Sequence, residues 1–177
     1  PKIIGISIAT RPDCLPAPVL DVIKQCQMEF PDKFVWIELG LQSVHEKTAL
    51  YIRRGYPLSC FEEALETLQA MSVPVIVHVI LGLPGETQAD MLATIDYLSH
   101  KNIFGIKLQL LHVLRGTDLA AEYECGVFSC LSKEAYIDLL CSFIDHIKLA
   151  IVLHRITGNG PKNLFIALIW IWHKRHV

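Results

Sequence analysis

Apolar and polar positions along this chain fall into two alternating kinds of segment. Short runs dense in apolar and β-branched residues read as strands: "KIIGISIAT" (2–10), "KFVWIELGL" (33–41), "VPVIVHVILG" (73–82), "IFGIKLQLLHV" (103–113) and "KLAIVLHRIT" (148–157). Between them, apolar residues recur at helical spacing over 17–30, 43–55, 59–72, 87–101 and 132–147. Ser59, with Glu62 three residues on, reads as an N-cap, and Thr87 and Ser132 read as caps of the helices they precede. A last helix is expected after "GNGPKN", over "LFIALIWIW" (164–172).

Strands alternating with helices of this length make βαβ units and hence a parallel α/β sheet. Five such strands are too few for a closed eight-stranded barrel, which takes about 250 residues. A partial, TIM-like (βα) barrel or a doubly wound sheet remains, and in either one ligands sit beyond the carboxyl ends of the strands. Composition agrees: 52% of the 177 residues are hydrophobic and the mean hydropathy is +0.39, as suits parallel strands covered on both faces. One domain is expected over 1–177, with about 158–177 beginning a C-terminal extension.

The formal net charge of -2 gives no general pull toward nucleic acid or an anionic membrane. No apolar run approaches the roughly 20 residues that span a bilayer, so "LFIALIWIW" reads as a buried or interfacial helix. With no secretory pattern, a cytoplasmic location is expected. The six cysteines, Cys14, Cys26, Cys60, Cys125, Cys130 and Cys141, are scattered and form no C-x2-C spacing, so reduced, structural thiols are expected. The chain opens on Pro1 rather than Met and runs straight into a strand, which reads as a piece of something longer.

Candidate chemistry gathers at the strand ends. The first strand ends at Thr10, Arg11 and Asp13, the second offers Glu38, Gln42 and Ser43, and the third carries His78 and ends in Gly82, Pro84, Gly85 and Glu86. The fourth offers Lys107, Gln109, His112 and Arg115, and the fifth His154, Arg155 and Thr157. Two chemistries fit. His78, His112 and His154, near the ends of separate strands, could converge on a zinc ion with one position open, as in a metal-dependent hydrolase, although no local H-x-H or H-E-x-x-H pattern supports it. Alternatively, Gly82 and Gly85 let backbone approach a nucleotide-like ligand closely. The bland reading is a strand-to-helix turn with Thr87 as its cap.

"ATRPDCL", "WIELGLQSVHEKTALYIRRGY", "HVILGLPGET", "IKLQLLHVLRGTDLA" and "HRITGNGPKNLFIALIW" together resemble radical S-adenosylmethionine (SAM) proteins. The nearest group is a small set of Fe-S oxidoreductases related to the catalytic subunit of elongator. The resemblance covers roughly 1–172 and implies the C-terminal portion of a partial (βα)6 barrel, truncated at the N-terminus. It implies SAM and a [4Fe-4S] cluster held by Cys-x3-Cys-x2-Cys, reductive cleavage of SAM to a 5'-deoxyadenosyl radical, and hydrogen abstraction from a substrate, a small molecule or RNA. That cysteine motif is absent here, as is the Gly-Gly-Glu segment that holds the SAM amine, so this chain alone is expected to bind neither cofactor and to be inactive.

By the same resemblance, Gln42, Arg54, His78, Gly82, Pro84 and Gly85 lie on the SAM side: Arg54 toward the SAM carboxylate, Gly82, Pro84 and Gly85 along the adenine. Arg11, Glu38, His112 and His154 face the substrate. Ala9 stands where several relatives have a glutamate. An open barrel exposes a strand edge and apolar surface, so self-association is expected, and a non-catalytic binding module is the third reading.

Overall fold

A computed structural model describes residues 2–158, 160 and 162–167. Five strands form a single sheet, β1 (Gly5–Thr10), β2 (Phe34–Gln42), β3 (Val75–Leu81), β4 (Gly105–Leu110) and β5 (Val152–Arg155), all parallel and in sequential order. Between them lie α1 (Ala17–Glu29), α2 (Glu46–Tyr51), α3 (Leu58–Ala70), α4 (Gln88–Ser99), α5 (Asp118–Glu124) and α6 (Lys133–His146).

Sequential order decides between the two architectures that the strand count left open. A doubly wound sheet reverses its strand order at a switch point and covers both faces with helices, whereas a barrel keeps one direction and puts every helix outside. Here the residues packed against the helices alternate along each strand: Ile37, Leu39 and Leu41; Val75, Val77, Val79 and Leu81; Ile106, Leu108 and Leu110. They meet Phe61, Leu65 and Leu68 of α3, Met91, Ile95 and Leu98 of α4, and Tyr136, Leu139 and Phe143 of α6. The opposite face carries Ser7, Trp36, Glu38, His78, Lys107 and Gln109. This is part of a TIM-like barrel with a polar inner face.

The elements are shorter than the apolar runs that foretold them. β4 stops at Leu110 rather than 113, and β5 keeps only four residues because it pairs with just Gly105, Ile106 and Lys107 of β4. The helix expected over 43–55 survives as Glu46–Tyr51, since Arg53 and Gly55 take left-handed φ values of 54° and 87°. Ser59 is not an N-cap: α3 begins at Leu58 behind Pro57, and Glu62 instead accepts from Tyr97 and Lys101. Thr87 does cap α4, in a reciprocal capping box with Asp90, and Ser132 caps α6. The short α5 was not foreseen; Thr117 caps it.

Of the last expected helix, Lys162–Leu164 form a 3-10 turn and Phe165 an antiparallel bridge with Leu114, while 168–172 lie outside the described residues. All six cysteines are free. Among the described residues, no helix is long and apolar enough to cross a membrane.

Candidate functional site

Two layers of the inner face are polar, and a plug of rings lies below them. At the amino ends of the strands Trp36 stacks on Phe34 at 4.1 Å between ring centres, with Phe104 at 5.0 Å and His154 at 5.4 Å. His154 therefore sits at the bottom of the barrel and not at its mouth. The short β5 pairs with the beginning of β4, so the His154 ring covers Gly105, where an added Cβ would come within 2.4 Å of it.

Above the plug is a network centred on Glu38, whose Oε1 accepts from Ser7 Oγ at 2.6 Å and from Lys107 Nζ at 2.5 Å, while Oε2 lies 2.7 Å from His78 Nε2. Strands β1 to β4 each supply one member. Burial alone would raise the Glu38 carboxyl, but bonds from Lys107, Ser7 and His78 outweigh it and bring the pKa down to about 2. Burial pushes the His78 imidazole below its ordinary range, against the pull of Glu38, so it is neutral near pH 7. The group can hold a proton on nitrogen beside a fixed carboxylate. One layer higher, Arg155 Nη2 donates to Gln109 Oε1 at 3.0 Å.

At the carboxyl ends a cleft of about 480 Å³ opens. Its apolar wall is Ile52, Ile80, Leu83 and Leu111, and its polar rim includes Arg11, Gln42, Tyr56, Asp118 and Glu122. The volume lies within the ordinary range of small-molecule sites, about 300–1,000 Å³. Gln42 reaches it through a bulge after Gly40 that gives this non-glycine residue a φ of 68°. Arg11 forms a two-point ion pair with Asp13, at 2.8 and 2.6 Å, and lies over the Tyr56 ring.

Arg54 borders the cleft, but its side chain is buried and its donors are occupied by the carbonyls of Leu41, Ser43 and Tyr56 and by Glu46. It fastens the end of β2 to the α2–α3 connection. A smaller cavity of about 270 Å³, lined by Thr48, Pro84, Gly85 and Phe128 among others, adjoins the cleft through Tyr51. Gly82 and Gly85 both need glycine for their backbone, with φ of 79° and 84°. A Cβ on Gly82 would meet Leu131 at 3.2 Å, whereas one on Gly85 would meet nothing within 4 Å. Only Gly85 faces open space. Glu86 turns away from the cavity to accept a hydrogen bond from Ser43.

The structure thus brings Gln42, Arg11 and Arg54 to one cleft, Pro84 and Gly85 to its neighbour, and Glu38 with His78 to the layer beneath. It does not bring His78, His112 and His154 together. His112 packs edge-on against Phe165, with Gly158 and Gly160 close by, and among the described residues no group of three His, Cys, Asp or Glu could hold a metal ion. The zinc reading fails because strand-end position in sequence did not translate into height in the barrel. Sequence reasoning named Lys107 among the strand-end candidates without giving it a role, although period-2 alternation with Gln109 already aimed it inward, and it missed Tyr56, whose hydroxyl donates to the Gly40 carbonyl across the loop.

Residues 1–98 match the model of the radical SAM superfamily, and residues 103–177 match that of the radical SAM C-terminal domain. The chain belongs to the radical SAM superfamily. It is 40% identical over 175 residues to the uncharacterized protein YtqA of Bacillus subtilis, covering 99% of this chain and 53% of YtqA. It is 28% identical over 168 residues to Elongator complex protein 3 of Danio rerio, covering 92% of this chain and 29% of that one. The chain spans about half the length of YtqA.

In fold it matches the archaeal Elp3 of Methanocaldococcus infernus, with a TM-score of 0.80 and 18% identity over 98% of this chain and 42% of that chain. The boundary between the two family models falls between α4 and β4, yet β3 and β4 pair continuously from Ile76↔Gly105 to Leu81↔Leu110. One sheet carries both halves of this radical SAM chain.

The family implies SAM and a [4Fe-4S] cluster. SAM fits the geometry: the cleft offers apolar walls for a ring, Gln42 for polar edges, and next to it the open backbone at Gly85. A cluster on three thiolates does not fit the described residues, whose cysteines lie apart.

Proposed function

We propose that this chain supplies the SAM- and substrate-facing strand ends of a radical SAM oxidoreductase. The observation that supports it is the cleft at the carboxyl ends of a partial barrel in a radical SAM chain, with Gln42 forced into it by a strained bulge. When bound beside a reduced cluster, SAM supplies the hydrogen-abstracting chemistry that no side chain here provides. The residues of this chain bind and orient. Ile80, Leu83 and Leu111 exclude water from one side, Gln42 and Arg11 offer polar contacts, and the Glu38–His78–Lys107 network fixes a proton and a negative charge below the cleft.

The cluster thiolates would come from outside the described residues, so this chain by itself neither cleaves SAM nor acts on a substrate. The test uses the full-length parent protein, reconstituted anaerobically with iron and sulfide and given dithionite and SAM. Formation of 5'-deoxyadenosine is the expected result, reduced when Gln42 is replaced by Ala. Folded protein that assembles no cluster and yields no 5'-deoxyadenosine would refute the enzyme reading.

A further inference from the structure

The inner face holds one more cation than its carboxylate can answer. Lys107 is matched by Glu38. Arg155 projects onto the same face because the β4–β5 register slips at Lys107, which turns both His154 and Arg155 inward. Among the described residues no carboxylate pairs with Arg155: Nη2 donates to the neutral amide oxygen of Gln109, and Nε is buried with no hydrogen-bond partner. The residues outside the description, 1, 159, 161 and 168–177, contain no Asp or Glu that could answer it. A half-buried guanidinium whose Nε is shut off from water without a partner costs some stability. Its planar fork suits a carboxylate or phosphate in two-point contact.

Its position is equally specific. Gln109, which orients Arg155, is the register partner of Ile80, and Ile80 lines the cleft. The Arg155–Gln109 pair therefore lies on the inner face beside Ile80, one layer above Lys107 and Glu38 and next to the cleft lining rather than in it. We propose that Arg155, oriented by Gln109, binds the carboxylate or phosphate of a small anionic substrate that reaches from the cleft to the inner face beside Ile80, leaving SAM to the Gln42 and Gly85 side. The proposal names the substrate class for the reading above and rests on it.

The experiment uses the full-length protein without its cluster, at an ionic strength held constant with chloride. Inorganic phosphate and succinate are titrated in separate calorimetric arms, with SAM titrated in parallel. Saturable binding of one anion per chain is expected, and whichever arm is tighter identifies the group. Arg155→Gln should weaken it by about tenfold or more, the loss of a charge-assisted two-point contact, and Arg155→Lys by less, with SAM affinity unchanged.

Equal anion affinity in Arg155→Gln would overturn the proposal. So would the absence of saturable binding in the wild type, as when a carboxylate from elsewhere in the full chain answers the charge. Competition between the anion and SAM, with both lost in Arg155→Gln, would assign the fork to SAM itself and also overturn it. If Arg155→Gln does not fold, phenylglyoxal modification of Arg155 in the wild type, mapped by mass spectrometry, replaces it. Protection by the tighter anion supports the subsite, and equal labelling with and without the anion sinks it. Failure of the SAM reading has a different signature, absent SAM binding with anion binding intact, and in that case the anion subsite stands.

Discussion

Gly82 and Gly85 separate two reasons for a glycine that sequence cannot distinguish. Both have left-handed φ, but only Gly82 is also crowded, by Leu131. Gly82→Ala is expected to cost about 2 kcal/mol and Gly85→Ala about 1 kcal/mol in urea denaturation. Asn tolerates the left-handed region, so Gly85→Asn should recover much of that loss while still filling the open space. If backbone at Gly85 approaches SAM, Gly85→Asn in the full-length protein will be stable and weaker in SAM binding; unchanged SAM affinity would leave Gly85 with a conformational role only.

Glu38 makes a second residue-scale prediction. Glu38→Gln leaves Lys107 without its counter-charge and weakens the hydrogen bond to His78, and should cost about 2 kcal/mol, toward the low end for a broken buried pair because both partners keep some access to water. The pH dependence follows in sign. The folded state holds Glu38 near 2 against an ordinary 4.5, so its stabilisation is present above 4.5 and is lost as pH falls toward 2. His78 is held below its ordinary 6.5, so the unfolded chain takes up a proton first and stability also falls as pH drops through 6.5. Denaturation at successive pH values should show two declines, the upper one diminished in His78→Gln and the lower one in Glu38→Gln.

At the scale of elements, two connections carry the site. Thr87 and Asp90 bond reciprocally at the start of α4, and that cap fixes where the turn bearing Pro84 and Gly85 ends. Thr87→Ala should cost about 1 kcal/mol in thermal or urea unfolding. Arg54 does more, because its guanidinium ties three backbone carbonyls of the β2–α2–α3 connection at once. Arg54→Lys keeps the charge but cannot reproduce the fork, so a loss of about 3 kcal/mol is expected. If Arg54 instead served mainly to bind the SAM carboxylate, Arg54→Lys would lower SAM affinity with little change in stability.

For the whole molecule the decisive asymmetry is β1. The other long strands are covered by helices, but Ile6 and Ile8 remain 52% and 37% exposed, Val19 and Val22 of α1 are exposed as well, and the edge of β1 is open. An apolar strand edge of this kind invites pairing. The isolated chain is expected to sediment with a concentration-dependent mass, and the double variant Ile6→Lys, Ile8→Lys should remove that dependence at little cost in stability. A wild-type monomer at every concentration would contradict the expectation.

Much of this fold was legible because its information is local. Period-2 and period-3.6 patterns placed all five strands and the long helices, and a cap such as Thr87 depends on residues three positions apart. Motif order in "GLQS" and "GLPGET" pointed to the family that the family models match. Register and height were not legible, because both are set by pairing between segments far apart in sequence. A one-residue register slip beside Lys107 sent His154 to the aromatic plug and Arg155 to Gln109 in the polar layer above, although the two are adjacent in the chain. Likewise Arg54 looked like a ligand-binding arginine until the fold brought three carbonyls to it. By itself the sequence determined a parallel α/β chain with polar strand ends; tertiary structure alone decided which of those polar groups neutralise one another and which are left without an opposite charge, because both depend on strand register.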